Sequence, residues 1–432
     1  MIFVDSTVII QHNINRENRR IVEVKAVASY IKCGKLFCAK DDSVLEDMAI
    51  LIEGNKIVKV APISECPVEK GQEVIDLSGK FVMPGLIDAH VHTCMSGEPD
   101  TNATSYYSNY GRLAYVSMFN AEADLLAGFT TIRDECSFAF LDIDLRDMIN
   151  AGRLKGPRMF CSGVSLSSTG GHGDSHFRPD LDTKGMAYIV NGPAECYGAA
   201  RKVIKYGADQ IKLMATGGVM SMGDEPGAPD FSYEEMKVIC DIAASHGKLT
   251  SAHAHGAVGI KNAIRAGITS IEHGMMMDDE GIELLVEHGT YLIPTVIAAY
   301  QIVVNGVEAG IPAWGVEKAD RCLKHHGENL KKLRKLGAKI GFGTDAATPY
   351  NYHGKQAFEF ELMCRYGDFT PAETLLCATK VNSELLRWND KIGSIEEGKL
   401  ADIIAFDENP LDDIKVMTNC TFVMKDGIVY KC

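Results

Sequence analysis

One phrase recurs along the chain and leaves few folds open to it: a helix-like segment ends in glycine, and an apolar, strand-like run begins within a few residues. It occurs at Gly128 (AGFTTIRD), Gly207 (YGADQIKLMATGG), Gly247 (HGKLTSAHAHG), Gly267 (AGITSIEHG), Gly289 (HGTYLIPTV) and Gly337 (LGAKIGFGTD). Glycine just past a helix relieves the left-handed backbone that ends it, so each phrase predicts a helix stop followed by a strand. The opening run FVMPGLIDAHVH and the run RMFCSGVSL after Gly156-Pro157 bring the predicted strands to eight. Ser232 with Glu235, and Thr370 with Glu373, stand at capping-box spacing, and Pro371 suits a first helical position. Eight strands alternating with helices over roughly 300 residues predict an α/β fold of the (β/α)8, TIM-like barrel type. An open doubly wound sheet is the alternative, but no GxGxxG opening follows the first strand to suggest a dinucleotide.

Both ends of the chain read differently from this middle. Between Ala28 and Lys80 the text breaks into SYIKCGKLF, DMAILIEGNKIVKVAP and EVIDLSGKFVM, and Gly54-Asn55 between alternating apolar runs predicts a hairpin turn. After Asn389 β-like phrases return as KIGSIEEGKLADIIAFD and NCTFVMKDGIVYKC, the latter with a turn at Asp426-Gly427. The simplest arrangement joins residues 28–83 and 389–432 in one small β-sandwich domain, with the barrel of residues 84–388 inserted between its halves. Two independent β appendages are the alternative. Residues 1–27 show no clear period and are expected to be a variable N-terminal extension or an extra strand. A chain of 432 residues exceeds what one core usually serves, in keeping with a barrel plus something smaller.

The balance of charge narrows the partners. A formal net charge of −14 argues against nucleic acid or an anionic membrane surface, which need a basic face, and leaves a small-molecule or peptide substrate. No run of about 18 apolar residues could span a bilayer, and the N-terminus does not read as a signal peptide. The thirteen cysteines are scattered without a CxxC pair, which fits a reduced, cytoplasmic protein better than a disulfide framework. The sequence leaves the oligomeric state open, and a homo-oligomer is compatible with it.

The chemistry gathers at the strand ends. Residues two apart on a strand point the same way, so His90 and His92 can offer nitrogen to one metal ion. In a (β/α)8 barrel the C-terminal ends of different strands converge on the active site. Those ends carry His90 and His92, then Lys212, His253 with His255, His273 and Asp345. Imidazole and carboxylate donors in this number predict a site for zinc or a related divalent ion. His253 and His255 share a register, so spacing alone does not choose between them. His246, His288, His325, His326 and His353 lack such placement and read as surface or helix-end residues.

The phrases PGLIDAHVH, IKLMATGG, SAHAHG, SIEHG and GTDA, with the tail phrase GSIEEGKLADIIAFDENP, resemble those of the amidohydrolase superfamily over nearly everything from residue 28 onward. TGGHGD at 169–174 and GGVMSMGDEPGAPDFSYEEM after the fourth strand are most similar to the branch with metal-dependent Xaa-Pro dipeptidases (prolidases) and imidazolonepropionases, nearer the dipeptidases. The resemblance implies two divalent metal ions, with zinc the first candidate. His90 and His92 would hold the more buried ion and His253 and His273 the more exposed one. Asp345 would ligate the buried ion and hold the nucleophilic water, and Lys212 would bridge both ions after its amine has become a carbamate. It selects His253 over His255, and makes His172 and Tyr233 candidates to touch the tetrahedral intermediate and the substrate carboxylate. The implied reaction is amide hydrolysis of a dipeptide or N-acyl amino acid, C-terminal proline favoured, with Asp345 as general base and then acid. A cyclic-amide hydrolase, a dipeptidase or amidase for other C-terminal residues, and an inactive binding protein with the same fold are the competing readings.

Overall fold

The structure, a computed structural model, describes residues 29–101, 107–174 and 185–432. The expected N-terminal extension lies outside them. In chain order the strands begin with β1 (Ser29–Phe37), β2 (Val44–Glu53), β3 (Lys56–Pro62) and β4 (Glu73–Pro84). A middle series follows: β5 (Leu86–Val91), β6 (Phe129–Asp134), β7 (Arg158–Cys161), β8 (Ser165–Ser167), β9 (Ala187–Ile189), β10 (Gln210–Met214), β11 (Leu249–Gly256), β12 (Ser270–Met276) and β13 (Tyr291–Ile293). The last are β14 (Ile403–Phe406), β15 (Phe422–Lys425) and β16 (Ile428–Lys431).

The strands near the two chain ends share a single sheet, ordered β16-β15-β14-β4-β1-β2-β3. The Gly54-Asn55 and Asp426-Gly427 turns lie where expected, since Glu53 pairs with Lys56 and Lys425 with Ile428. A sandwich of two sheets was the expectation, whereas this is one continuous sheet that curls. Edge strand β3 reaches back to residues 398–401, with Ile57 N–H donating to Lys399 O at 2.9 Å and Gly398 N–H to Ile57 O at 2.8 Å. Sheet twist brings the faces of β1, β2, β4, β14 and β15 around one apolar cluster that includes Ile31, Ile50, Leu77, Ile403 and Phe422. Because side chains alternate along a strand, Phe37, Phe81, Met83, Ile404 and Phe406 face the other way and join the main core.

The middle strands run parallel in two arrays, β5-β6-β7 and β13-β12-β11-β10-β8-β9, with helices between them, which is a TIM-barrel-like α/β arrangement. Every glycine of the recurring phrase takes a left-handed backbone, from Gly289 at φ 64° to Gly128 at φ 101°. Both predicted capping boxes form, Ser232 accepting from the Glu235 amide and Thr370 from the Glu373 amide. Two expected strands differ from their prediction. RMFCSGVSL is not one strand but breaks into β7 and β8 at Ser162-Gly163, where Gly163 turns left-handed, and the two pieces belong to different arrays. Across that break Asp209 N–H, just ahead of β10, donates to Cys161 O at 2.8 Å. The eighth expected strand forms no regular ladder, but its extended backbone bonds to both neighbours: Leu292 N–H to Lys339 O at 2.9 Å, and Ala89 N–H to Phe342 O at 3.0 Å. Gly341 and Gly343 allow that approach, since a Cβ on Gly343 would lie 2.3 Å from the Ile293 side chain. No helix among the described residues is long and apolar enough to cross a membrane.

Candidate metal centre and active site

β5 is buried along its whole length and ends in the HxH motif; Leu86 N–H donates to Gly128 O at 3.0 Å on one side, and Asp345 N–H donates to His90 O at 2.7 Å on the other. This pairing seats Asp345 beside the histidines. Its Oδ1 lies 3.0 Å from His92 Nε2 and 3.4 Å from His90 Nε2. The backbone is strained to do so: Asp345 has φ 58° and His273 φ 70°, left-handed values that non-glycine residues rarely adopt and that gather at functional sites.

His90, His92, His172, Lys212, His253, His255, His273 and Asp345 all line one cavity of about 380 Å³. The rings of His253 and His273 are 4.7 Å apart and those of His90 and His273 5.0 Å apart. Lys212, only 2 % exposed, points its amine to Glu135 Oε2 at 3.2 Å, so in its unmodified form it makes an ammonium–carboxylate pair. Methionines dominate the apolar wall: Met95, Met186, Met214, Met220, Met222 and Met275.

The protonation pattern fits a metal. His90 Nδ1 lies 2.7 Å from Glu272 Oε2, and because Glu272 also accepts from Arg133 at 2.8 Å it is ionised and acceptor-only. The His90 proton therefore sits on Nδ1, and Nε2 turns a lone pair toward the Asp345 carboxylate. Two acceptors at 3.4 Å repel unless a cation lies between them. His90, His92 and Asp345 present their ligand atoms within 4.8 Å of one another, as do His90, Glu135 and Glu272. Burial, reinforced by neighbouring imidazoles, pushes the His253 and His273 pKa values well down, which leaves both rings neutral, the form that binds metal. Burial raises the Asp345 pKa, but the hydrogen bond and charge of His92, with the Lys212 charge, outweigh it and hold the carboxyl ionised.

Three placements depart from the sequence reading. Tyr233 is the first residue of the helix Tyr233–Ser245, 38 % exposed, and is not among the residues lining the cavity; Phe231 and Met236 take the inward positions there. His326 is buried and the His353 side chain is nearly so, rather than on the surface. His326 Nε2–H donates to Pro294 O at 2.9 Å, and His353 bridges Asp124 Oδ2 at 2.8 Å and His92 O at 3.2 Å, directly behind the HxH motif. His246, His288 and His325 are exposed, as expected. His255 lines the cavity with its Nδ1 buried and without a partner, and burial pushes its pKa down to about 3.

A supporting layer escaped the sequence reading. Glu135 accepts from Ser251 at 2.5 Å and Gln210 at 2.9 Å and forms an ion pair with Arg133 at 2.8 Å, while Glu272 holds His90. Glu135 directly follows β6, so the strand-end rule that found the histidines would also have flagged it. Nothing local marks Arg133, whose partners lie on other strands.

Parallel strands alternating with helices, and a histidine-rich cavity at their C-terminal ends, make a TIM-barrel-like fold with a candidate metal site. The chain belongs to the amidohydrolase family, whose sequence model matches residues 81–430. Among curated relatives, ochratoxinase of Aspergillus niger is 34% identical over 380 residues, covering 81% of this chain and 75% of that protein. A solved Xaa-Pro dipeptidase with bound methionine in its active site superposes with TM-score 0.86 at 36% identity, covering 94% of this chain and 100% of the other. A prolidase complexed with N-methylphosphonate-L-proline superposes with TM-score 0.85 at 32% identity, covering 94% and 99%. The family is generally metal-dependent and acts on small molecules, and the donor set here suits a divalent ion.

Proposed function

We propose that this protein is a binuclear metal-dependent hydrolase of the amide bond in a dipeptide or N-acyl amino acid, with Xaa-Pro dipeptides the first substrates to try. The observation that carries the reading is the convergence of His90, His92, Lys212, His253, His273 and Asp345 on one cavity, with a lone pair of His90 set against the Asp345 carboxylate. His90, His92 and Asp345 would hold one ion, His253 and His273 the other, and Lys212 would join them as a carbamate, since an ammonium cannot ligate a cation. Two divalent ions there, zinc foremost, would supply polarisation of the substrate carbonyl and an acidified water. Asp345 turns Oδ1 to the two imidazoles, leaving Oδ2 to take the proton of the attacking water and return it to the leaving nitrogen. Glu272 holds His90 in the tautomer that frees Nε2. The closed eightfold barrel of residues 84–388, and the assignment of 28–83 with 389–432 to a sheet unit, belong to the same proposal.

A second reading, an amidase for a bulky N-acyl amino acid, is favoured by the methionine-rich wall and by similarity to ochratoxinase. Methionine walls adapt to large apolar groups. One panel separates the two: Xaa-Pro dipeptides, dipeptides with other C-terminal residues, and N-aroyl amino acids, assayed with zinc-loaded protein for released amine. Cleavage confined to the proline series supports the first reading and cleavage confined to the aroyl series the second; no amine release from any member would overturn both.

A further inference from the structure

The left-handed backbone of Asp345 is braced from two directions, by β5 and by the side chain of Asn351. Three non-glycine residues of this loop carry strain, Asp345, Ala347 and Tyr350 having φ 58°, 86° and 61°, values that persist only where the surroundings enforce them. The peptide between Thr344 and Asp345 sets φ at Asp345, and it turns as one plane. Its N–H donates to His90 O on β5 at 2.7 Å, and its C=O accepts from Asn351 Nδ2 at 2.8 Å. The next peptide is held as well, since Asp345 O accepts from Asn351 Nδ2 at 2.9 Å and from Thr348 Oγ1 at 2.9 Å.

Asn351 is 1 % exposed, and only one orientation of its amide suits the place. Its two amide hydrogens meet two carbonyl oxygens, which can only accept, with Thr348 Oγ1 a longer third partner at 3.2 Å; turned over, Oδ1 would face both carbonyls. Its main chain is bound to the same loop, N–H to Thr348 O at 2.9 Å and O from Ala347 N–H at 2.7 Å. Oδ1 is then buried without a partner. An unpaired buried acceptor lowers stability, so what this residue contributes lies with Nδ2. Releasing the Thr344 carbonyl would free its peptide to rotate toward negative φ at Asp345. That rotation swings the Asp345 side chain away from His92 Nε2 and His90 Nε2, which lie 3.0 and 3.4 Å from its Oδ1.

We propose that Asn351 is a positioning residue: by clamping the Thr344 and Asp345 carbonyls it holds the left-handed backbone at Asp345 and so aims the Asp345 carboxylate at His90 and His92. The inference rests on the metal-hydrolase reading for what that carboxylate then does. Asn351 is not among the residues lining the cavity, so it acts through Asp345 and not on the substrate.

The test is the visible spectrum of cobalt(II)-loaded full-length protein, recorded beside its melting temperature, in the parent and in Asn351→Leu, Asn351→Ser, Asp345→Ala and Tyr350→Phe. Leucine fills the space of asparagine and donates nothing, and serine has one proton for two carbonyls. Tyr350→Phe is the control for bracing of the loop, since Tyr350 Oη donates to Ala309 O at 2.6 Å and not to the peptides beside Asp345. The expected Asn351→Leu spectrum is displaced toward that of Asp345→Ala, which has no side-chain oxygen to give, with a smaller displacement in Asn351→Ser. Tyr350→Phe should keep the parent spectrum and melt lower. On any substrate the protein cleaves, Asn351→Leu should lower kcat about 10–100-fold with KM little changed, the range for residues that orient a ligand. The parent spectrum in both Asn351 variants, with only a lower melting temperature, would overturn the proposal. Asn351→Ser keeps the test open if Asn351→Leu does not fold. A parent that takes up no cobalt overturns the metal site and the clamp's role together. A parent that takes it up but releases no amine from any substrate overturns the reaction alone, and the spectra still decide the clamp.

Discussion

His90 and Asp345 owe their chemistry to what stands behind them. A histidine whose Nδ1 is committed to Glu272 has one nitrogen left, and a carboxylate at 3.4 Å from that nitrogen has no proton of its own to share. Replacing Asp345 by Asn should therefore lower kcat by roughly 10²–10⁴-fold with KM little changed, the signature of an interaction made in the transition state. The check is steady-state kinetics with metal content measured on the same preparation, because only a metal-replete, inactive variant supports proton transfer. A second residue-scale prediction concerns Asp142, buried beside Asp134, with Oδ2 on the Gly163 amide at 2.8 Å and Oδ1 unpartnered. Burial first, and then the Asp134 charge, raises its pKa from an ordinary 3.8 to about 8. The folded protein then keeps a proton that the unfolded chain has lost, so stability contributed by this group falls as pH climbs from about 4 to about 8. Asp142→Asn should flatten that slope, melting above the parent at pH 8 and with little advantage at pH 4, as thermal unfolding across the range would show. At this scale the sequence was informative where spacing acts: two residues on a strand aim together, so His90 and His92 were legible as a pair. Tyr233 was not, because the side of the helix start that faces the cavity depends on how Phe231 and Met236 pack.

Whole elements arrive at the site by different routes. β11 and β12 are parallel neighbours in register as far as Ala254 opposite His273, and their ligands follow from that register. His273 depends on more, because its Nδ1 lies 2.7 Å from Thr295 Oγ1, and Thr295 opens the helix Val296–Asn305 from a left-handed backbone at φ 45°. That helix has no side-chain cap of its own. Glu359, buried and from a distant helix, accepts instead from Val296 N–H at 2.8 Å and Ile297 N–H at 2.7 Å. Glu359→Ala leaves two buried donors unpaired and should cost about 1–3 kcal/mol for each in urea unfolding, whereas Glu359→Gln should cost less because one oxygen remains. Such remote capping is invisible in sequence: the local capping boxes at Ser232 and Thr370 were read correctly because both partners lie within one turn. The broken third strand and the unladdered eighth were missed for a related reason, as glycine inside an apolar run does not announce whether the backbone bends there.

Across the molecule, the curled sheet and the parallel strands are joined by more than apolar contact. Arg158 of β7 donates to Asp402 at 2.6 Å and to Asp426 at 2.7 Å, and it is nearly buried. Arg158→Met would strand two carboxylates, one buried and one part-buried, and should destabilise by about 3–5 kcal/mol while leaving kcat within a few-fold, since the bridge lies outside the cavity. Denaturant unfolding measured beside turnover tests both halves of that statement. The recurring helix-glycine-strand phrase made the parallel part legible, and the β-like composition of both ends suggested their partnership; the curl of a seven-stranded sheet was not legible, being a property of twist summed over strands far apart in sequence. β4 carries one further consequence. Its residues Phe81–Pro84 pair with Ile403–Phe406, and one residue later the same backbone becomes β5 and leads to His90 and His92. During synthesis the HxH strand thus leaves the ribosome long before the partner of the strand that anchors it. Until residues 403–406 emerge, one side of β4 presents an unpaired β edge, the kind of surface to which another chain can add a strand.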